Sequence, residues 1–201
     1  MSNLKETILN PILKGNPVTV LILGICSSLA VTVELKGAIV MALSVTIVTG
    51  LSSFVCSLIR KTIPNRVRII VQLVVVALMV IVVDQVLKAY SYSIEKQLSV
   101  YVGLIITNCI VMGRIEAYAL GNKPLPSLLD GLANGIGYGL ILVIVAFFRE
   151  LFGSGTLFGI PVLSAIGYTN NGLVILPPFA LILLGCIIWA QRSIQKDLQE
   201  K

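Results

Sequence analysis

The sequence predicts an all-α integral membrane protein of six transmembrane helices, arranged as two inverted three-helix repeats. Three observations carry that expectation. Of the 201 residues 57% are hydrophobic and only 12% are charged, with a mean hydropathy of +0.99; a soluble domain devotes about a quarter of its residues to charge. Six apolar stretches approach the roughly 20 residues that a helix needs to cross a hydrocarbon core of about 30 Å. The stretches also fall into two groups of three, and a repeat with an odd number of spans must insert in opposite orientations. Residues 1–201 therefore read as one membrane domain, with repeat 1 over about 17–90 and repeat 2 over about 98–191.

The spans follow one another with clear punctuation. Asn16-Pro17 opens the first, 17–33, and Glu34-Leu-Lys36-Gly37 separates it from the second, 37–59. Arg60-Lys61-Thr-Ile-Pro64-Asn65-Arg66 precedes the third, 68–90, and the fourth covers 98–116. Lys123-Pro124-Leu-Pro126-Ser127 reads as a loop before the fifth span, 131–151, and a Gly/Asn/Pro-rich loop from Gly153 to Asn171 precedes the sixth, 173–191. The start, MSNLKETILNPILKGN, is polar and mildly amphipathic, and the first apolar run lacks an A-x-A-like site, so no cleavable signal is expected.

Charge sets the orientation. Alternate loops place Lys5, Lys14, Arg60, Lys61, Arg66, Arg68, Arg114, Lys123, Arg192, Lys196 and Lys201 on one side. Lys36, Lys88, Lys96 and Arg149 fall on the other, a bias of eleven against four. Basic loops stay inside, so both termini are expected in the cytoplasm. The net charge of +6 is thus a topology signal; no clustered basic face points to nucleic acid.

The absence of histidine removes the usual metal ligand and neutral-pH base. Four cysteines, at 26, 56, 109 and 186, stand far apart with no CxxC among them, which excludes a zinc knuckle or a thioredoxin-type motif. Cys109 lies eleven residues past Leu98, about 16 Å along a helix, and Cys26 nine past Pro17, about 14 Å. Both would sit near the membrane midplane, approached from opposite faces. A buried cysteine is most often a small hydrophobe, and Cys56 and Cys186 keep that reading. Cys26, in Gly24-Ile-Cys26-Ser27-Ser28, and Cys109, in Thr107-Asn108-Cys109, have small and polar company instead. In lipid such residues belong where a helix is broken and its backbone must be satisfied inside the protein. The first helix of each half is therefore expected to break near its cysteine. Two thiolates cannot hold an iron–sulfur cluster alone, because [2Fe-2S] normally takes four ligands. Two more would come from another chain, or from Cys56 and Cys186.

Inversion has weak echoes beyond the cysteines. Each half's second span ends in arginine, Ser57-Leu-Ile-Arg60 and Phe147-Phe-Arg149, and the charge count puts these two on opposite sides.

Several runs carry a resemblance to a known family: Gly24-Ile-Cys-Ser-Ser-Leu-Ala-Val-Thr32, Val67-Arg-Ile-Ile-Val-Gln72, Ile81-Val-Val-Asp-Gln-Val-Leu-Lys-Ala-Tyr90, the stretch from Gln97 to Arg114 that contains ITNCIVMGR, and Phe148-Arg-Glu-Leu-Phe-Gly-Ser-Gly155. Over nearly the whole chain the sequence resembles the D-type membrane subunits of the Na⁺-translocating NADH:quinone oxidoreductase, a family shared with subunits of the Rnf complex. The VIVVDQVLKAY and KQLSV stretches favour the quinone-reductase branch. The resemblance implies one chain of a six-subunit enzyme of the bacterial inner membrane, a chain that does not catalyse alone. It implies a homologous partner, the E-type chain of the same enzyme, packed in the opposite orientation. It also implies a [2Fe-2S] cluster held near the midplane by Cys26, Cys109 and two cysteines of that partner. Na⁺ would be the transported ion, with FMN, FAD, NADH and quinone on other subunits.

Other polar residues read as follows. Asp84 lies within or at the edge of the third span, where a carboxylate is a functional candidate, against the alternative of an interfacial pair with Lys88. Asp130 reads as a helix N-cap at the start of the fifth span. The resemblance adds both as candidate cation contacts. Glu116, near Arg114, and the adjacent Arg149 and Glu150 read as structural ion pairs near the interfaces. Gly131, Gly135 and Gly139 repeat at small-xxx-small spacing, which fits a tightly packed subunit interface. That run lies inside a helix, so it is no dinucleotide fingerprint. The nearest rival the resemblance leaves is the equivalent electron-transfer subunit of the Rnf complex; outside this family, the rival readings are a small inverted-repeat permease with incidental cysteines, and a structural scaffold.

Overall fold

In the computed structural model, residues 15–64, 66–90, 102–157, 160–161 and 172–194 are described. The amphipathic start, the KQLSV stretch and most of the loop before the last helix lie outside them. The order is α1 (Ile25–Val31), α2 (Leu35–Ile59), α3 (Arg68–Tyr90), an interrupted α4 (Val102–Ala119) and α5 (Pro124–Gly153). A two-residue antiparallel pair follows, β1 (Thr156–Leu157) with β2 (Ile160–Pro161), then α6 (Gly172–Ile175) and α7 (Pro177–Ile194).

Among the described residues, four helices are long and apolar enough to cross a membrane, namely α2, α3, α4 and α5. The third expected span coincides with α3 and the second nearly with α2. The first and sixth do not form single long helices. Residues 17–20 are turns, and Ile22 (φ 56) and Gly24 (φ 83) adopt left-handed backbone before the seven-residue α1. Cys26 therefore does not lie nine helical residues beyond Pro17, and the 14 Å depth worked out on that basis does not hold. The sixth span is divided at Leu176-Pro177-Pro178 into α6 and α7, as expected where proline restricts the preceding residue.

α5 begins seven residues earlier than its apolar run. Pro124 and Pro126 sit in its first turn, where the missing N–H groups would have had no intrahelical partner anyway. Asp130 is consequently in the second turn and is not an N-cap, contrary to the sequence expectation.

α2 and α5 form an antiparallel central pair. A Cβ on Gly131 would lie 2.8 Å from the Thr49 carbonyl oxygen, one on Gly135 2.6 Å from Thr46 Cα, and one on Gly139 3.0 Å from Ala42 Cβ. Contacts that climb one helix while descending the other define the antiparallel sense. The glycine seam is thus a contact inside this chain, where the sequence reading assigned it to a subunit interface. Val45, Val48, Met41, Tyr138, Leu142 and Val145 are fully buried around this pair. α3 lies outside it and exposes Ile69, Ile70, Val74, Leu78, Ile81 and Val86, an apolar surface suited to lipid or a neighbouring chain.

Candidate functional site

Each of the two cysteines singled out by sequence follows directly on a helix break. α1 starts one residue before Cys26, and the second segment of α4 starts at Cys109 after an interruption at 107–108. The breaks have local causes. Thr107 Oγ1 donates to the Gly103 carbonyl (2.8 Å), and Asn108, in extended conformation, accepts the Ile110 N–H on its side chain (3.2 Å). Side chains that bond their own backbone compete with the helical ladder in this way. On the other side, Gly24 supplies the positive φ that a Cβ would strain. Its missing Cβ would also lie 2.7 Å from Ile110 Cδ1 and 3.1 Å from Tyr138 Cε2.

The two breaks meet. Gly24, Cys26, Ser27, Leu104, Thr107, Asn108 and Cys109 line one recess of about 110 Å³. The Gly24 N–H donates to Cys109 Sγ at 2.9 Å, so the turn before one cysteine binds the sulfur of the other. Cys26 is exposed and Cys109 half-buried. Behind them, Ser27 Oγ donates to the Gly24 carbonyl (3.0 Å) and accepts from Tyr138 Oη (2.7 Å) and Asn108 Nδ2 (3.3 Å). Tyr138 is near the middle of the 30-residue α5, so the recess sits level with the middle of that helix. Sequence reasoning missed Tyr138. The available signal was a lone tyrosine in a glycine-rich apolar span, whose hydroxyl needs a buried partner.

Cys56 and Cys186 do not join this recess. Cys56 is fully buried in α2 and Cys186 is exposed on α7. Among the described residues no group of three or more His, Cys, Asp or Glu side chains could hold a metal ion. Two thiols on one recess, Cys26 exposed and Cys109 half-buried, with a backbone N–H turned on the Cys109 sulfur, would suit one half of a four-thiolate site.

The remaining candidates have other partners. Asp84 Oδ2 pairs with Lys88 Nζ at 3.0 Å, as the interfacial alternative required, while the buried Asp84 Oδ1 has no hydrogen-bond partner. Asp130 receives Arg114 through two bonds, Nε to Oδ2 (3.0 Å) and Nη2 to Oδ1 (2.5 Å), with Asn134 Nδ2 at 3.1 Å from Oδ1. Glu116 pairs with Arg68 at 2.5 Å and accepts from Gln72, not with the nearby Arg114. Arg149, 1% exposed, donates to the Leu29, Val174 and Ile175 carbonyls and to Thr32 Oγ1. Its neighbour Glu150 accepts the first N–H of α2, Leu35 N, at 2.7 Å. That bond satisfies a helix-start amide from outside the helix. Arg149 and Glu150 thus each bind segments distant in the sequence.

Residues 4–188 match the family described as Rnf-Nqr subunit, membrane protein. Among curated relatives, the D subunit of the Na(+)-translocating NADH-quinone reductase of Serratia proteamaculans is 56% identical over 98% of this chain and 97% of its own length. The same subunit of Haemophilus influenzae is 57% identical over 98% and 97%, and that of Pseudomonas aeruginosa 56% over 98% and 90%. The chain belongs to the Rnf-Nqr family of membrane subunits.

Proposed function

We propose that this member of the Rnf-Nqr family is the D subunit of a Na⁺-translocating NADH:quinone reductase in the bacterial inner membrane. In this reading it carries electrons across the membrane through a [2Fe-2S] cluster held by Cys26, Cys109 and two thiolates of a homologous partner, the E-type chain. The observation that supports it best is the shared recess, in which two cysteines from opposite halves of the sequence face one cavity and the Gly24 N–H donates to Cys109 Sγ. When bound, such a cluster passes single electrons. This chain's part is to hold two ligands, aim an N–H at sulfur and line the site with small and polar residues. An N–H on a cluster sulfur stabilises the more negative, reduced state. A site halfway through a core of about 30 Å also divides a distance too wide for one tunnelling step.

The same reading takes the six spans as inverted halves, with α1 and α4 equivalent and both termini cytoplasmic. The paired breaks and the eleven-to-four charge bias support it. FMN, FAD, NADH and quinone would belong to other members of a six-subunit complex. Asp84 is the proposed cation contact, because one of its oxygens is buried without a hydrogen-bond partner although the other pairs with Lys88. Asp130 is the alternative, which its two-bond contact with Arg114 opposes.

Iron analysis and EPR of the purified complex test the proposal. Cys26→Ala and Cys109→Ala should each abolish the [2Fe-2S] signal and NADH-driven quinone reduction while the complex still assembles. An assembled complex that keeps both properties without either thiol returns the cysteines to packing and sinks the electron-transfer reading.

A further inference from the structure

Gly24 can bind the Cys109 sulfur only while its turn is held in one shape, and the groups that hold it come from three separate segments. The turn has φ +83 at Gly24, a conformation that glycine tolerates but does not prefer over its alternatives. Something outside the turn must select it. Ser27 Oγ contributes by donating to the Gly24 carbonyl, which the Ser28 N–H also binds at 3.2 Å; that carbonyl is the other polar group of the residue whose N–H meets sulfur. Ser27 Oγ is itself fixed from two directions, by Tyr138 Oη of α5 and by Asn108 Nδ2 at the α4 break. Tyr138 is fully buried, and Ser27 and Asn108 nearly so, at 3% and 4% exposed. Few alternative partners exist for these groups, so their geometry is tightly determined.

We propose that Ser27, Tyr138 and Asn108 are positioning residues for the thiolate recess. They lock the Gly24 turn so that its N–H stays on Cys109 Sγ, and they thereby set the reduction potential of a cluster bound there. This rests on the proposed function above, in that a cluster must occupy the recess for a potential to be read. Ser27 and Asn108 line the recess, yet none of the three supplies a ligand. They act through the Gly24 peptide, and the chain of contacts runs from Tyr138 Oη to Ser27 Oγ, to the Gly24 carbonyl, and across that residue to its N–H and the sulfur. The network also couples the two halves, since Ser27 belongs to the first and Tyr138 and Asn108 to the second. A relaxed turn would loosen the amide that stabilises the reduced form.

The test is a redox titration of the [2Fe-2S] EPR signal in the intact, purified complex carrying Tyr138→Phe, a change that removes one oxygen and leaves the ring packing in place. The expected result is normal assembly and iron content, a shifted EPR line shape, and a reduction equilibrium weakened about fivefold, the worth of one ordinary net hydrogen bond. The midpoint should move to a lower potential. Ser27→Ala should lower it further and Ser27→Thr, which keeps the hydroxyl, should restore it. If Ser27→Ala does not assemble, the Tyr138→Phe midpoint decides. A Tyr138→Phe complex with the wild-type midpoint and line shape overturns the inference. So does loss of the signal from an assembled Tyr138→Phe complex, which would make the network a requirement for holding the site rather than for tuning it. Failure of the underlying reading looks different: there Cys26→Ala and Cys109→Ala retain the signal.

Discussion

Asp130 is the residue on which a structural reading and an ion-binding reading make opposite predictions. The perturbation is Asp130→Asn, which keeps the shape and removes the charge. Its partner Arg114 is held by two bonds of 3.0 and 2.5 Å, and the side chains are only 18% and 5% exposed, Arg114 and Asp130 respectively. Breaking a pair buried to that degree leaves a charge without compensation and costs about 3–5 kcal/mol. The Arg68–Glu116 pair is the internal control. At 43% and 38% exposure its charge is solvated, and Glu116→Gln should cost no more than about 1 kcal/mol.

The assay is the thermal denaturation of the purified complex, read beside the Na⁺ concentration that half-activates quinone reduction. Asp130→Asn should lower the denaturation temperature by several degrees and Glu116→Gln should barely move it. A double variant, Arg114→Met with Asp130→Leu, should recover most of the loss, because apolar replacement of a whole buried pair is often neutral or stabilising. The refuting result is an Asp130→Asn complex of unchanged stability whose Na⁺ requirement rises several-fold. That outcome would take Asp130 away from Arg114 and give it to the ion.

Two further substitutions test the packing that positions the site. Gly135→Ala must open a gap of nearly 1 Å against the Thr46 backbone, from 2.6 Å, and overpacking of this kind costs about 1–3 kcal/mol; Gly185→Ala, inside α7 with nothing within 4 Å, should stabilise by about 0.5–1 kcal/mol, and equal denaturation temperatures for the two variants would refute the α2–α5 seam. Arg149→Lys should destabilise the complex by at least about 2 kcal/mol, since a lysine's single ammonium cannot reproduce a planar fork serving three carbonyls and a hydroxyl; the check is the same denaturation assay, and wild-type stability would show those four acceptors to be satisfied by other means.

What was readable in the sequence follows from which signals are local. Apolar length alone located α3 from Arg68 to Tyr90, because nothing in that stretch competes with the helix. Two prolines hid the start of α5, since Pro124 and Pro126 punctuate a loop as readily as they fill a first turn. The first span was misjudged for the converse reason. Residues 17–33 are apolar enough to be a helix, but Asn16, which caps Val18 N at 3.0 Å, and the left-handed Ile22 and Gly24 turn the chain first. The breaks beside the cysteines were legible from Gly24, Ser27, Thr107 and Asn108. The meeting of the two breaks was not, because it depends on contacts between the halves. Arg149 shows the same limit: adjacency to Glu150 invited an ion pair, and only the fold reveals four acceptors converging from Leu29, Thr32, Val174 and Ile175.

A thiol in an unbroken transmembrane helix has no backbone amide to call on, because each N–H is already committed to a carbonyl four residues earlier. Breaking the helix frees amides and carbonyls, and in an apolar interior each freed group costs free energy until it is paired. The polar residues around the two cysteines add bonds at each break. Asn108 Oδ1 takes the Ile110 N–H, while Thr107 Oγ1 and Ser27 Oγ give second bonds to the Gly103 and Gly24 carbonyls, which the Thr107 and Ser28 N–H groups also bind. The Gly24 N–H is the amide that goes to sulfur instead. Small and polar residues in the middle of apolar runs are thus what allows a break to be stable while directing one donor at a thiol. A permease with incidental cysteines would need broken helices too, but it would give no reason for an amide of one break to bind the cysteine of the other.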